Sequence, residues 1–230
     1  MPQRGPLHWA DGEGWLVLLG GGDWQRGETD LVDANVLSLA NLDRPMIVML
    51  SEGDQEDAES ILEHYVNLGG PGGEAYILNH QNTPRTLHDP AFGSLLTEAG
   101  ILYLGGEDPL LITRTLRSSP ALLHIVKGFA TIQGLLLLGS GGGAAALGTW
   151  FPGEDPSQQD ETGLNFIQNA AIIPHFTHAE EANTLQALLR THPGSLGLGI
   201  PNGTALALGP KSEVETWGSG DVTAIVHKDI

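Results

Sequence analysis

The chain has 230 residues, 40% of them hydrophobic and 17% charged, which suits a globular protein large enough to bury a core. Acidic residues outnumber basic ones 28 to 10, and the resulting formal charge of −18 argues against nucleic-acid partners and anionic membranes. The chain contains no cysteine, which excludes disulfides, thiolate catalysis and cysteine–metal sites.

The start of the sequence, MPQRGPLHWADGEG, lacks the long apolar core of a signal peptide, and no apolar run approaches the length of a membrane span. We therefore expect a cytoplasmic protein without a membrane partner. Neither an internal repeat nor a convincing linker divides the sequence, so we expect a single domain over residues 1–230.

The first two thirds of the chain alternate apolar strands with helices. The predicted strands are Trp15–Gly20, Pro45–Leu50, Ala75–His80, Ile101–Leu104 and Leu135–Ser140. The predicted helices are Thr29–Ala40, a helix capped by Asp54 that runs through Val66, Pro109–Leu116 and Pro120–Phe129. Continuous apolar strands between helices are typical of a parallel sheet that is covered on both faces.

The last third of the chain has a different pattern. Residues Thr177–Glu180 match a capping box that begins a helix ending near Arg190. Four short apolar runs follow, LGLGI, TALALG, EVETWG and DVTAIV, and their short turns predict antiparallel hairpins that close one edge of the sheet. The acidic stretch Pro152–Gly163 is the best candidate for a mobile loop. The predicted fold is α/β: a three-layer α/β/α sandwich with a mostly parallel sheet and antiparallel C-terminal strands.

The stretch LLLLGSGGGAAALG (135–148) reads as a strand, a turn of small residues and a helix. A phosphate-binding loop is disfavoured, because the Lys-Ser/Thr of a P-loop and the later acidic residue of a dinucleotide site are both missing. A nucleophile elbow has the pattern G-x-S-x-G, and the run Gly139–Gly143 keeps both outer glycines. Its central position is Gly141, whereas Ser140 stands one place early.

Four stretches in order resemble peptidase family S51, which includes aspartyl dipeptidase and cyanophycinase. They are GGGDW (20–24), YLGGEDPLLI (103–112), GSGGGAAAL (139–147) and AAIIPHFTHA (170–179). The resemblance spans about residues 16–226. It implies the class I glutamine amidotransferase-like fold and a triad of the Ser-His-Glu type. It places the catalytic histidine at His175, and it implies oxyanion and substrate contacts from Gly105, Gly106, Glu107, Asp108 and the Gly142 N–H.

The sequence departs from this family at two triad positions. The nucleophile position is Gly141, which has no side chain, and the acid position is Asn202. An asparagine can still orient a histidine, but without an attacking atom no acyl-enzyme forms. Ser140 would have to replace the nucleophile from a neighbouring position, and displacements of about 1 Å already cost catalysis on the order of 100-fold.

Other residues have competing interpretations. His175, His178, Glu180 and Glu181 suggest zinc only weakly, because their spacing crosses the predicted cap, so we expect no metal and no cofactor. Glu107 and Asp108 either bind a substrate ammonium or amide, or cap and charge-match the next helix. Trp150 and Phe151 either line a pocket or pack in the core, with packing the commoner role. Asp155 is favoured as a solvated surface residue over a replacement for the lost acid.

The favoured hypothesis is therefore a pseudoenzyme of the S51 type that keeps a pocket for a small peptide or an anionic ligand. The alternative is an active serine hydrolase of aspartyl dipeptides or related amides that uses Ser140 and His175. A third hypothesis is a ligand-free protein that forms homo-oligomers. Anion binding is expected to persist at the N–H groups of Gly142 and near Gly106, because the helix dipole favours negative charge there.

Overall fold

Strands and helices alternate along the chain, and the sequence predicts most of them. The structure, a computed structural model, describes residues 2–78, 86–153, 160–177 and 180–226. The strands are β1 (Gln3–Arg4), β2 (Leu7–Trp9), β3 (Trp15–Leu19), β4 (Met46–Leu50), β5 (Gly73–Ile77), β6 (Ile101–Gly105), β7 (Leu136–Ser140), β8 (Trp150–Phe151), β9 (Glu161–Thr162), β10 (Ile167–Gln168), β11 (Ala170–Ile173), β12 (Leu196–Gly199), β13 (Thr204–Leu208), β14 (Val214–Gly218) and β15 (Thr223–Val226). The α-helices are α1 (Asp30–Leu39), α2 (Gln55–Asn67), α3 (Pro90–Glu98), α4 (Pro109–Arg117), α5 (Ala121–Thr131), α6 (Gly142–Leu147) and α7 (Glu180–Thr191).

A seven-stranded sheet in the order β14-β13-β3-β7-β6-β4-β5 forms the centre of the molecule. Strands β3, β7, β6, β4 and β5 are parallel, whereas β13 and β14 are antiparallel and form one edge. Alternate residues of β3 point to opposite faces, as the period of a strand requires. Leu16 and Leu18 join the core beneath α3, α4 and α5, and Val17 and Leu19 join the core beneath α1 and α2. The predicted three-layer α/β/α fold is confirmed.

A second sheet corrects the prediction for the C-terminal strands. Its order is β15-β12-β11-β8-β9, with β12 parallel to β11 and antiparallel to β15. Only β13 and β14 form the expected hairpin on the central sheet. The prediction that all four runs close one edge is therefore wrong. Short, fully buried strands such as Leu196–Gly199 carry no alternation that would tell which of two sheets they join.

Local signals at the helix ends account for much of the remaining agreement. Asp54 caps α2 in a capping box with Asp57, and Asp108 caps α4, where its side chain accepts from the Leu111 N–H. The apolar pattern of the sequence predicts no helix at Pro90–Glu98, although Asp89 caps one there. Strand β5 begins two residues before the predicted start, and the predicted end at His80 lies outside the described residues.

The described part of the Pro152–Gly163 stretch includes β9, which pairs antiparallel with β8, while Asp155 lies outside the described residues. Within the described ranges no helix is long and apolar enough to cross a membrane. The carboxyl ends of β3, β6 and β7 lie at one edge of the parallel sheet, which is where α/β folds place their ligands. The segments that follow β6 and β7 carry Gly106, Glu107, Asp108, Gly141 and Gly142, whereas His175 follows β11 and Asn202 follows β12.

Candidate active site

The turn between β7 and α6 has the backbone of a nucleophile elbow. Gly141 has a φ of 57° and a ψ of −124°, a conformation that strains any residue with a side chain. Its N–H donates to the Leu19 carbonyl at 3.1 Å, which fixes the turn against β3. A Cβ at Gly143 would lie 2.0 Å from the Leu104 carbonyl oxygen, so glycine is required where α6 crosses β6. The elbow is thus built, but its central residue is a glycine.

His175 follows β11 and faces this elbow. It adopts a positive φ of 50°, and its N–H donates to the Gly20 carbonyl at 2.8 Å. Its Nδ1 lies 2.6 Å from Asn202 Oδ1, and its Nε2 lies 2.9 Å from Glu107 Oε2. A Cβ at Gly21 would lie 2.2 Å from the imidazole Cε1, so the glycine-rich turn after β3 makes room for the ring.

Glu107 occupies the space beside the elbow centre. Gly106 has a φ of 97°, and a Cβ there would lie 2.3 Å from Ser51 Oγ, so only glycine allows the chain to turn here. The turn directs Glu107 towards the elbow, where a Cβ added to Gly141 would lie 2.6 Å from Glu107 Oε1. The carboxylate of Glu107 therefore takes the room that a nucleophile side chain would need, and it binds the nitrogen of His175 that a serine triad would use.

The charge state of His175 follows from these two contacts. The hydrogen bond to Glu107 raises the pKa of His175 above its ordinary value, the bond to Asn202 raises it further, and partial burial lowers it. A carboxylate and an amide oxygen are both acceptors, so this pair of contacts favours a proton on each ring nitrogen, in the same direction as the raised pKa. A serine triad needs a neutral histidine with a free lone pair on Nε2. In this arrangement Glu107 occupies the nitrogen of His175 that a serine triad uses for its base.

Ser140 lies on a different cavity from His175. It lines a small space between the central sheet and the helices α1 and α2, together with Tyr103. Its hydroxyl hydrogen-bonds the Tyr103 phenol, which lowers the pKa of Tyr103, but burial outweighs this effect and raises that pKa to about 12. His175 is not among the residues that line this cavity.

A larger cavity of about 260 Å³ lies on the other side of Glu107. Small-molecule sites typically measure about 300–1,000 Å³, so this volume suits a small ligand. Its lining combines apolar side chains with carboxylates. The lining residues are Glu107, Asp108, Pro109, Leu110, Phe151, Pro152 and Glu161.

The remaining candidates are distributed as follows. Asp108 caps α4, which is the structural role weighed above, and it also lines the larger cavity. Phe151 is buried and borders that cavity, whereas Trp150 stacks on His192 with ring centroids 4.1 Å apart. His178 lies outside the described residues, and among the residues described no group of three or more His, Asp or Glu could hold a metal ion.

Two features were not foreseen from the sequence. Glu107 was singled out, but its contact with His175 was not, because a side chain 68 residues away gives no local signal. The polar cluster of Asp33, His64, Tyr65 and Tyr103 beneath Ser140 was missed entirely. Only the His-Tyr pair in an otherwise amphipathic helix and the tyrosine in an apolar strand could have indicated it.

Comparison with solved structures places the fold among peptidases. A crystal structure of a peptidase from an acI-B1 Actinobacterium matches with a TM-score of 0.63 and 21% identity, covering 94% of this chain and 99% of the other. A protein assigned as a peptidase E from Listeria monocytogenes EGD-e matches with a TM-score of 0.62 and 15% identity, covering 90% and 99%. At these identities the likeness shows the fold alone.

Comparison of sequences identifies the family. Cyanophycinases of Trichormus variabilis and Nostoc sp. are 26% identical over 132 residues, which is 54% of this chain and 44% of theirs. The cyanophycinase of Geminocystis herdmanii is 24% identical over 145 residues, 60% of this chain and 53% of its own. The chain thus aligns with about half the length of these relatives. The model of "Peptidase family S51" matches residues 16–213. The chain belongs to peptidase family S51.

Proposed function

We propose that this protein is an S51 homologue without serine acyl-transfer chemistry, and that its former active site is a binding pocket for a small peptide or a related amide. The observation that carries the proposal is the position of Glu107. Its carboxylate lies 2.6 Å from the place where a side chain at Gly141 would begin, and it bonds His175 at 2.9 Å.

The chemistry of the three triad positions supports the same conclusion. Gly141 offers no nucleophile, and a covalent mechanism needs an attacking atom. The contacts of His175 with two acceptors, and its raised pKa, favour the protonated ring, which has no lone pair to offer. Asn202 holds Nδ1 at 2.6 Å, so the histidine keeps an orienting partner although the acid is lost. What remains is a fixed imidazolium–carboxylate pair, with 39% of the His175 side chain and 54% of the Glu107 side chain exposed.

The pocket itself suggests the ligand. The cavity beside Glu107 combines carboxylates from Glu107, Asp108 and Glu161 with the apolar surfaces of Leu110 and Phe151. A peptide amino group complements the carboxylates. A peptide carboxylate, or any other anionic ligand, reaches the elbow only by displacing Glu107 from His175. We therefore place the ligand's positive end in the cavity and its carbonyl end near Gly142.

The test combines activity and binding. The purified protein is incubated with Asp-Xaa dipeptides, with β-aspartyl-arginine and with a fluorophosphonate probe, beside the variants Ser140→Ala and His175→Ala. Ser94→Ala, an exposed serine on α3, serves as the control for background labelling. We expect neither turnover nor labelling above the level of Ser140→Ala.

The binding half uses thermal unfolding with the same peptides, which stabilise a protein that binds them. We expect the Tm to rise with the concentration of the peptide, and we expect Glu107→Gln to change the size of that rise. Turnover that is abolished by Ser140→Ala but kept in Ser94→Ala would overturn the proposal that serine acyl-transfer chemistry is absent, and it would establish the serine hydrolase. The absence of any stabilisation by the peptides would overturn the proposal that the former active site is a peptide-binding pocket.

A further inference from the structure

Ser51 follows β4 at the same edge of the sheet as the elbow, beside the turn that carries Glu107. It is only 6% exposed. Strand β4 is parallel to β6, with Leu50 opposite Gly105, so the residue after β4 lies next to the turn that follows β6. This buried hydroxyl group belongs to neither the triad positions nor the residues that line the cavity beside Glu107.

Ser51 holds the Glu107 turn at both of its ends. Its backbone N–H donates to the Gly105 carbonyl at 3.0 Å, and its Oγ accepts from the Asp108 N–H at 3.2 Å. Residues 106 and 107 lie between these two bonds, so the path of the backbone through Glu107 is tied to one residue of the neighbouring strand. Asp108 is also fixed on its far side, where its Oδ1 accepts from the Leu111 N–H at 2.8 Å.

The elbow packs against the other side of the same turn. A Cβ added to Gly142 would lie 2.7 Å from the Gly106 carbonyl oxygen and 2.8 Å from the Glu107 carbonyl carbon. On the opposite side, a Cβ added to Gly106 would lie 2.3 Å from Ser51 Oγ. The turn therefore lies between Ser51 and the start of α6, in close contact with both.

The pair of Glu107 and His175 is too weak to set this geometry by itself. More than a third of both side chains is exposed, and exposed ion pairs contribute little because water screens them and ordering a long side chain costs entropy. The direction of the Glu107 side chain must therefore be fixed mainly by its backbone. Two hydrogen bonds of Ser51 fix that backbone, and one of them comes from its side chain.

From this arrangement we infer that Ser51 is a positioning residue of the site: its hydroxyl oxygen holds the Asp108 N–H and thereby aims the carboxylate of Glu107 at His175. The inference rests on the proposed function, because it takes Glu107 as the residue that defines the pocket. Ser51 touches no ligand in this role. It acts on the charge of the site through Glu107, whose hydrogen bond raises the pKa of His175.

The test is an NMR titration of His175 in the full chain and in the variants Ser51→Ala and Glu107→Gln. Ser51→Ala should lower the pKa of His175 towards the value in Glu107→Gln, because a carboxylate that is no longer aimed at the ring stabilises its charged form less. In a Glu107→Gln background, Ser51→Ala should cause no further fall. A residue that only supports the fold would not show this dependence on Glu107.

Matched variants control for the loss of a buried hydroxyl group. Ser195→Ala removes a buried serine whose hydroxyl donates to the His192 carbonyl, and it should leave the pKa of His175 unchanged. Ser51→Thr and Ser51→Val have nearly the same shape, but only threonine keeps the acceptor oxygen. The pKa should therefore stay higher in Ser51→Thr than in Ser51→Val, and this pair decides the matter if Ser51→Ala does not fold.

The outcomes separate this inference from the proposed function. A pKa of His175 that Glu107→Gln lowers but Ser51→Ala does not would overturn the role of Ser51 alone, as would equal falls in both backgrounds or equal values in Ser51→Thr and Ser51→Val. A pKa that Glu107→Gln leaves unchanged would overturn the pair of Glu107 and His175, and the role of Ser51 with it. The absence of stabilisation by peptides would contradict the proposed pocket and leave the titration as it is.

Discussion

Replacing Gly141 by serine tests whether Glu107 has taken the place of the nucleophile. Two separate costs are expected from the structure. The backbone at φ 57° and ψ −124° strains a residue with a Cβ, at about 1–3 kcal/mol. The new Cβ also lies 2.6 Å from Glu107 Oε1, so the carboxylate must move and its pair with His175 breaks. Because more than a third of both side chains is exposed, the pair contributes at most about 1 kcal/mol.

A double-mutant cycle separates these two costs. In the wild-type background Gly141→Ser should lower the free energy of unfolding by about 1–4 kcal/mol, or the Tm by about 2–16 °C. In a Glu107→Ala background only the backbone cost remains, so the penalty should be smaller by up to about 1 kcal/mol. Gly69→Ala is the control for strain alone, since its φ is 93° and nothing lies within 4 Å of the added Cβ.

Denaturant unfolding of the four proteins measures the cycle, and a dipeptidase assay accompanies it. We expect no peptidase activity from Gly141→Ser alone, because Asn202 still replaces the acid. An identical penalty in both backgrounds would refute the idea that Glu107 occupies this space. Substantial activity from the single substitution would show that only the nucleophile had been lost.

Two further predictions concern the pair of Glu107 and His175. An NMR titration should give His175 a pKa above its ordinary 6.5, and Glu107→Gln should bring it back towards that value. Because the folded-state pKa is raised, the pair contributes fully to stability below pH 6.5 while Glu107 is ionised, and loses that contribution as the pH rises through the raised pKa. An unchanged pKa in Glu107→Gln would contradict this. In Glu107→Ala, sulfate or acetate should shift the His175 ring signals more than in the wild type at equal ionic strength, since the imidazolium and the N–H of Gly142 are then free to hold an anion; equal shifts would contradict it.

How far the sequence predicts the molecule depends on whether the signal is local. Helix caps and continuous apolar strands depend on residues that are close in sequence. The structure therefore has the caps Asp54 and Asp108 and the strand Met46–Leu50 where the sequence predicts them. The choice between two sheets for Leu196–Gly199 depends on distant partners, and there the prediction fails.

The same distinction applies to the site. The family resemblance aligns Gly141, His175 and Asn202, and the structure brings His175 and Asn202 within 2.6 Å of each other. The direction of the Glu107 side chain depends on the left-handed Gly106 and on the empty space at Gly141. The spacing of residues in the sequence does not predict this direction, because the glycine at position 141 has no side chain that could indicate what fills the space beside it.

The glycine at position 141 and the position of Glu107 are physically connected. A serine at the elbow would lie in the space that Glu107 Oε1 now fills, so the two cannot both be present in this conformation. Removing the serine alone would leave the His175 Nε2 without a partner at an acidic site, where a protonated histidine needs an acceptor. Glu107 supplies that acceptor, and its hydrogen bond raises the pKa of His175. Glycine at position 141 therefore leaves room for the pair of Glu107 and His175, and a serine there would require Glu107 to move.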